Sequence, residues 1–321
     1  MRFERCPPES GNPERFELHD APGRRVVVVP AAGMNLVSVG IDGREMLRLP
    51  LDLEAFMSTP KTGGVPLLHP WANRLRSDVV EHGGVRTDLA SVPGLKRDGN
   101  DLPMHGLLLR FDAWELDSGI DDAAAWVEGR LDWRAFPDLM AAFPFPHRLR
   151  VRWSFRIVPG GLEATCLHEV HAAEIDVPLG SGWHPYLAPG TESHASLEVE
   201  TPMLHPVVLD DHGLPRRDAD GDPVFGDAVD PSGPLGERVF DDLYRAPSGG
   251  WSCAITSPTG GRIELGVDAQ WPWVQLYSPQ DADFICFEPM LAPTAALSDG
   301  TARIVPAGTV FQAAFTIRFT A

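Results

Sequence analysis

The sequence predicts an all-β protein, a large antiparallel β-sandwich with few short helices that forms a single domain over residues 1–321. Three observations predict this fold class. Gly and Pro are plentiful, at 31 residues each, which suits many short strands joined by turns. Residues 148–157 alternate strictly between apolar and polar side chains, and no segment keeps a 3.6-residue helical periodicity over three turns. No internal repeat or low-complexity linker divides the chain.

The clearest strand is the alternating segment 148–157 (RLRVRWSFRI), whose apolar residues from Leu149 to Ile157 all lie on one face. This pattern is typical of a half-buried antiparallel strand. The turn Pro159-Gly160-Gly161 leads into a returning strand at 162–170. Further strands are predicted at 25–29, 35–40, 251–257, 261–267, 273–278, 284–288 and 309–319.

Helical signals are weak. Residues 52–58 predict a short helical turn, and Pro137 interrupts a second helical pattern at 134–141. Residues 209–236 are rich in Asp, Gly and Pro, which predicts a long excursion over the surface.

The formal net charge of −18 argues against nucleic acid and anionic membranes as partners, because both require basic patches. It also disfavours a densely anionic substrate. The N-terminal residues show no signal-peptide pattern, and no apolar run approaches the roughly 20 residues that span a bilayer. The four cysteines form no CxxC pair, so we expect reduced packing cysteines in a cytoplasmic protein.

A Gly-rich turn and a short apolar run lead into Trp71, Asn73 and Arg74. An aromatic plane beside amide and guanidinium donors is what a sugar pocket needs, for stacking and for directional hydrogen bonds. The alternative is an edge loop with a buried Trp and a solvated Arg.

Two histidines stand beside glycine at candidate loop–strand junctions. His105 precedes Gly106 in MHG, where the alternative is a packed core histidine. His184 lies within GWHPY, between Trp183 and Tyr186, and the following proline favours an extended or turn conformation. An imidazole there with a pKa near neutrality would suit a general acid or base.

Glu288 ends the apolar segment FICFEPM. Glutamate is rarely buried unless it is paired or functional, and desolvation there would raise its pKa toward that of a general base. The alternative is a surface glutamate at the start of a loop. The sequence contains no P-loop, dinucleotide fingerprint or GxSxG motif, and HEVH at 168–171 lacks zinc-motif spacing.

Six blocks together resemble the aldose 1-epimerase (galactose mutarotase) family. In chain order they are GGVPLLHPWANRLR, MHGLLLRFDAW, FPFPHRLRVRWSF, GWHPYL, VFDDLY and CFEPMLAPTAAL, spread from about residue 63 to 297. The resemblance implies a single-domain β-supersandwich. It also implies an isomerase that interconverts the α and β anomers of a free aldose, without a cofactor or metal.

The resemblance also implies roles for individual residues. Glu288 matches the base that takes the proton of the anomeric hydroxyl, and His184 matches the acid that protonates the ring oxygen. His105 matches a second histidine near the ring oxygen.

Arg74 matches a hydroxyl-binding arginine, and Asp241 an aspartate that holds sugar hydroxyls, with Asp242 as the alternative. We also place Asn73, Trp71 and Tyr186 among the substrate-binding residues. The chain departs from the family pattern at His69 and at 107–109, so the resemblance does not specify galactose.

Two other functions remain open. A hexose-6-phosphate 1-epimerase would need arginines near C6 of the sugar, and Arg74, Arg76 and Arg110 keep that possibility open. A non-catalytic sugar-binding protein on the same fold is the second. A hydrolase usually needs two carboxylates, and only one is convincingly placed. In each case the partner is a small-molecule sugar, and the protein is a monomer or homodimer.

Overall fold

The computed structural model describes residues 1–9, 11–20, 23–121, 124–190, 194–280 and 282–321. The first strands in this part of the chain are β1 (Arg2–Cys6), β2 (Arg15–Asp20), β3 (Arg24–Val29), β4 (Asn35–Ile41), β5 (Arg44–Glu45), β6 (Leu67–Leu68), β7 (Val79–His82) and β8 (Val85–Asp88). They are followed by β9 (Glu115–Asp121), β10 (Ala124–Asp132), β11 (His147–Val158), β12 (Gly161–Ala172), β13 (Val177–Leu179), β14 (Gly182–Trp183), β15 (Tyr186–Leu187) and β16 (Glu198–Glu200). The last are β17 (His205–Pro206), β18 (Gly233–Pro234), β19 (Phe240–Arg245), β20 (Trp251–Thr256), β21 (Arg262–Val267), β22 (Trp273–Ser278), β23 (Ile285–Met290), β24 (Arg303–Val305) and β25 (Val310–Thr320).

Helices are few and short, and the all-β prediction is confirmed. They are α1 (Leu53–Met57), α2 (Pro137–Ala142) and 3₁₀ turns at Pro30–Ala32, Trp133–Ala135 and His194–Ser196. The helical turn predicted at 52–58 is confirmed, and its N-cap Asp52 accepts a hydrogen bond from the backbone of Ala55 at 2.9 Å. Pro137 does not disrupt a helix as the sequence suggested, because it stands in the first turn of α2, where its missing N–H costs nothing. None of the helices in the described residues is long and apolar enough to cross a membrane.

The largest sheet has nine antiparallel strands in the order β18-β16-β20-β21-β25-β12-β11-β10-β9. Its β11 is the alternating segment found in the sequence. The apolar residues from Leu149 to Phe155 are buried, while Arg148 on the opposite face is exposed. The remaining predicted strands are also present, within a few residues of their expected limits.

A seven-stranded sheet lies on the other side of the core, in the order β17-β19-β22-β23-β14-β6, with β15 also pairing with β23. An N-terminal meander of five strands, β1 to β5, forms a further sheet. The ring of Trp153 on β11 meets the ring of Trp183 on β14 edge to face, with centroids 5.5 Å apart. Because these residues come from the two large sheets, the sheets pack face to face as a sandwich.

One cluster of buried apolar side chains joins the three sheets. It includes Val28 of the meander, Val151 of the nine-stranded sheet and Phe287 of the seven-stranded sheet. Cys166, Cys253 and Cys286 are buried and free, as the sequence predicted. The burial of such side chains is the main favourable term in the stability of the sandwich.

The segment 209–236 carries only the two-residue strand β18 and several isolated β-bridges in the structure. It is a long irregular connection, as predicted, but it does more than cover the surface. The backbone carbonyl of Gly213 accepts a hydrogen bond from Arg74 Nη1 at 3.1 Å, so this connection reaches the candidate site.

Candidate active site

Glu288 lies on β23, an inner strand of the seven-stranded sheet whose residues are all buried. On one side it is opposite Gln275 of β22, and on the other side β23 pairs with β14 and β15. The apolar sequence of β23 buries the strand, and the fold therefore places a carboxylate inside the protein. Glu288 is only 1% exposed, so the alternative of a surface glutamate is wrong.

His184 lies in the short link between β14 and β15. Its backbone N–H donates to the carbonyl of Pro66 at 3.2 Å, and the N–H of Tyr186 donates to Gly64 at 2.8 Å. The imidazole stacks on the ring of Tyr186, with centroids 4.4 Å apart and planes within 9°. The Tyr186 hydroxyl contacts His184 Nε2 at 3.2 Å and Thr62 Oγ1 at 2.7 Å. The ring of His184 is thereby fixed in orientation.

His184 and Glu288 form a buried pair. The distance from His184 Nε2 to Glu288 Oε1 is 3.3 Å, and the two side chains are 6% and 1% exposed. Among the described residues, neither His184 Nδ1 nor Glu288 Oε2 has a hydrogen-bond partner, and the same is true of His105 Nδ1. Buried polar atoms are nearly always satisfied, so unsatisfied atoms on three adjacent side chains indicate a binding site.

His105 stands beside His184, with ring centroids 5.4 Å apart. It has a left-handed backbone, with φ of 64°, and its N–H donates to the carbonyl of Asn73 at 2.9 Å. Gly106 follows with φ of 72°, and a β-carbon there would lie 2.3 Å from the carbonyl oxygen of His69. Only glycine permits this close approach, which holds the backbone at 105–106 against the backbone at 69–73.

The Asn73 amide is buried, and its hydrogen bonds are made to other side chains of the protein. Its Nδ2 donates to Gln275 Oε1 at 3.2 Å and to Thr294 Oγ1 at 3.0 Å. Gln275 Nε2 in turn donates to Asp241 Oδ1 at 2.8 Å. This chain of hydrogen bonds orients the Asp241 carboxylate beside Glu288.

These side chains surround a cavity of about 360 Å³, which we call the histidine–glutamate cavity. A volume of this size suits a small-molecule ligand. It is lined by Thr62, Asn73, Arg74, Lys96, Arg97, Asp98, Gly99, Met104, His105, His184, Tyr186, Asp241, Tyr277 and Glu288. Three larger clefts among the described residues, of about 510, 560 and 610 Å³, do not contain the histidine–glutamate pair.

Burial sets the protonation of the pair. It raises the pKa of Glu288 well above its ordinary value; Asp241 raises this pKa further and Arg74 lowers it. Burial, with a smaller contribution from the positive charge of Lys96, lowers the pKa of His184 to about 3. The expectation of an imidazole with a pKa near neutrality is therefore wrong, because desolvation disfavours its charged form. Burial thus favours the uncharged forms, a protonated carboxyl at Glu288 and a neutral imidazole at His184.

The structure brings together seven of the eight residues predicted for the site. Trp71 is the exception: it is 2% exposed and belongs to the hydrophobic core, outside the set of described residues that line the cavity. The backbone of Trp71 forms an isolated β-bridge with Gly180. Asp241 lines the cavity, whereas its neighbour Asp242 does not, as expected for adjacent residues of a strand.

The three arginines considered for a hexose 6-phosphate substrate do not converge in this cavity. Arg74 lines it, but its Nε lies 2.9 Å from Asp98 Oδ2. Arg76 pairs with Asp299 at 2.8 Å, away from the cavity lining. The guanidinium of Arg110 lies over the ring of Phe56, 4.1 Å from its centroid, and faces a neighbouring groove.

The departures from the family pattern lie largely outside the cavity lining. His69 is fully buried in the core and bonded to Ser181 and His147, at 2.9 and 3.0 Å. Leu108 is also buried in the core, while Leu107 and Leu109 line the neighbouring groove.

Seven lining residues were not proposed from the sequence: Thr62, Lys96, Arg97, Asp98, Gly99, Met104 and Tyr277. Tyr277 is opposite Asp241 in the β19–β22 pairing, so only strand register reveals its place. Lys96 had one visible signal: it is one of only two lysines in the chain, the other being Lys61.

Solved structures of three proteins share the whole fold. A galactose mutarotase-like protein from Clostridium acetobutylicum superposes with a TM-score of 0.77 at 16% identity, covering 99% of this chain and 98% of that chain. A Synechocystis protein gives 0.74 at 19% identity, covering 100% and 99%. The galactose 1-epimerase of Lactobacillus acidophilus gives 0.70 at 18% identity, covering 99% and 98%. Each likeness is one of fold.

The sequence itself matches the family model for aldose 1-epimerase over residues 14–318, which is nearly the entire chain. The buried glutamate, the two histidines and the cavity they line all fall within that match. The chain belongs to the aldose 1-epimerase family.

Proposed function

We propose that this protein is an aldose 1-epimerase that interconverts the α and β anomers of an aldose by general acid–base catalysis. In this proposal Glu288 acts as the base and His184 as the acid. His105, Arg74 and Asp241 hold the sugar, while Asn73 acts indirectly by orienting the Gln275–Asp241 contact. Tyr186 holds His184.

The reaction proceeds by ring opening and closure. Glu288 takes the proton of the O1 hydroxyl as the bond between C1 and the ring oxygen breaks, and His184 donates a proton to the ring oxygen. The product is the open-chain aldehyde. The aldehyde group rotates about the C1–C2 bond and closes on its other face, with the proton transfers reversed. One proton enters the pair and one leaves it, so no co-reactant is consumed.

The observation that carries the proposal is the buried His184–Glu288 contact of 3.3 Å beside three unsatisfied polar atoms. O1 and the ring oxygen are bonded to the same carbon, so an acid and a base that serve both must themselves be neighbours. A single proton shared by a coupled pair provides one acid and one base at once.

For this reaction Glu288 must be ionised and His184 protonated, so a proton has to pass from the carboxyl to the imidazole when the sugar binds. Hydrogen bonds to a carboxylate favour its charged form, and bound sugar hydroxyls would supply them next to Arg74. The short contact between the two side chains gives the proton a direct path. Each positioned proton-transfer group contributes typically ~10²–10⁴-fold to the rate, and the proposed reaction uses this pair alone.

Anomer exchange measured by saturation-transfer NMR tests the proposal. The assay would use the purified protein with a panel of free aldoses and their 6-phosphates. We expect at least one sugar to exchange faster than in buffer alone. Preference for a 6-phosphate would favour the hexose-6-phosphate alternative. Binding of a sugar with exchange at the buffer rate would leave only a sugar-binding protein and would contradict the proposal.

A further inference from the structure

Lys96 is an unpaired positive charge in the histidine–glutamate cavity. Its side chain is half buried and lies in the lining together with His105, His184 and Glu288. Within the described residues, none of the ion pairs includes Lys96, and the one charged neighbour that acts on its pKa is Arg110, a second cation. Burial and this neighbour both lower the pKa of Lys96.

The other cations of the cavity are neutralised. Arg74 lies 2.9 Å from Asp98, and Arg97 lies 2.6 Å from Asp78. A partly buried ammonium without an anion is costly, and in a chain of net charge −18 it stands out. An unpaired charge in a binding cavity marks a candidate contact for a ligand group of opposite charge.

The position of Lys96 indicates which part of a sugar it would meet. The backbone carbonyl of Lys96 accepts a hydrogen bond from the N–H of Met104 at 2.8 Å, which places Lys96 beside His105. The charge of Lys96 acts on His184 and His105, the negative charge of Asp241 acts on Glu288, and Arg74 acts on both His105 and Glu288. The cavity thus has a positive side at the histidines. In an aldohexose ring the ring oxygen joins C1 to C5, and C5 carries C6. If His184 serves the ring oxygen, the C6 substituent lies on the side of Lys96.

We propose that the substrate is a hexuronate, an aldose whose C6 is a carboxylate, and that Lys96 binds this carboxylate. The inference rests on the proposed function. It also makes Lys96 the residue that distinguishes a hexuronate from the corresponding neutral hexose.

One unpaired ammonium matches one negative charge. A phosphate at C6 would carry up to two charges and would need a second available cation. Arg110 does not supply it, because its Nη atoms donate to the carbonyls of Leu109, Phe56 and Lys61, at 2.7 to 2.9 Å.

The carboxylate would also assist the reaction itself. Lys96 lowers the pKa of His184, which makes the acid harder to protonate. A carboxylate paired with Lys96 cancels that charge, so the pKa of His184 rises when this substrate binds. Lys96 should therefore affect kcat as well as KM for the hexuronate.

The test compares matched substrates that differ only at C6: glucuronate with glucose and glucose 6-phosphate, and galacturonate with galactose. Saturation-transfer NMR gives kcat and KM for anomer exchange, and isothermal titration calorimetry gives binding. The proteins are wild type, Lys96→Met, Lys96→Arg and the control Lys61→Met. Lys61 is exposed and its side chain lies outside the cavity lining, so the control should behave as wild type.

For the wild type, we expect kcat/KM to favour the hexuronate over its hexose by about 10- to 100-fold, the usual value of a charge-assisted contact. Lys96→Met should bring this ratio close to one, and Lys96→Arg should restore part of it. A ratio unchanged by Lys96→Met, a preference for the hexose, or a preference for hexose 6-phosphate would overturn the inference.

Failure of the two proposals can be told apart. If hexoses exchange rapidly with no advantage for hexuronates, the substrate inference fails and the proposed function stands. If all sugars exchange at the buffer rate, the proposed function fails, and calorimetry decides the remaining claim. Hexuronate binding that depends on Lys96 would then support the carboxylate site, and its absence would overturn it.

Discussion

His168 is a buried histidine whose replacement should change the acid stability of the fold in a predictable way. It lies on β12 and is fully buried, with its ring 6.0 Å from that of Trp271 and 5.8 Å from that of His69. Both ring nitrogens lack a hydrogen-bond partner among the described residues. Burial lowers the pKa of His168 to about 3.

The sign of this pH effect follows from comparing proton binding at His168 in the unfolded and the folded chain. The unfolded chain binds a proton at His168 near the ordinary pKa of about 6.5, whereas the folded chain does not until about pH 3. Stability from the neutral buried ring is therefore present above pH 6.5 and is lost as the pH falls. The loss is about 1.4 kcal/mol per pH unit per proton, or about 2 kcal/mol between pH 7 and pH 5.

His168→Leu should remove that loss while retaining a similar volume. Two unsatisfied polar nitrogens also disappear, each worth about 1–3 kcal/mol, so stability at pH 7 should not fall. Urea unfolding at pH 7 and pH 5 measures the effect, and the exposed His205→Leu provides the matched control. The reasoning is refuted if His168→Leu loses as much stability over this range as wild type does.

Three further predictions concern the site. Gly106→Ala should lower the free energy of unfolding by about 1–3 kcal/mol in urea titration, because the backbone is left-handed and a β-carbon would lie 2.3 Å from a carbonyl oxygen; unchanged stability would contradict this. Tyr186→Phe removes a contact of 3.2 Å to His184 and should slow anomer exchange about fivefold, which corresponds to about 1 kcal/mol; an unchanged rate would show that the hydroxyl is not needed. Asp241→Asn removes a charge that raises the pKa of Glu288, so the limb of the pH–rate profile governed by Glu288 should move to lower pH; a shift to higher pH would refute that electrostatic assignment.

Much of the fold could be predicted because a strand with one buried and one exposed face leaves alternating apolar and polar residues in the sequence. The alternation at 148–157 corresponds to β11 almost residue for residue. The edge strand β9 was missed, because most of its residues are at least partly exposed and leave no apolar period. β19 was also missed, since Asp241 and Asp242 interrupt its apolar pattern.

Site residues could be predicted only where a local sequence motif marks them. His105, His184 and Glu288 each stand out beside glycine, aromatic or apolar neighbours, and the structure brings all three to one cavity. The sequence around Trp71 suited a sugar-binding ring equally well. A local pattern does not distinguish a ring that stacks on a ligand from a ring that packs in the core. Lys96 lies in a polar loop, and its place depends on a backbone contact with Met104 that no motif encodes.

The central claim is that Glu288 and His184 act as one proton-transfer unit, and a double-mutant comparison of anomer exchange tests it most directly. Glu288→Gln and His184→Ala alone should each slow exchange by about 10²-fold or more while the far-UV circular dichroism spectrum shows that the fold is retained. Residues that act together are not additive, so the double variant should be no slower than the slower single variant. Losses that multiply in the double variant, or a near wild-type rate in either single variant, would contradict the account.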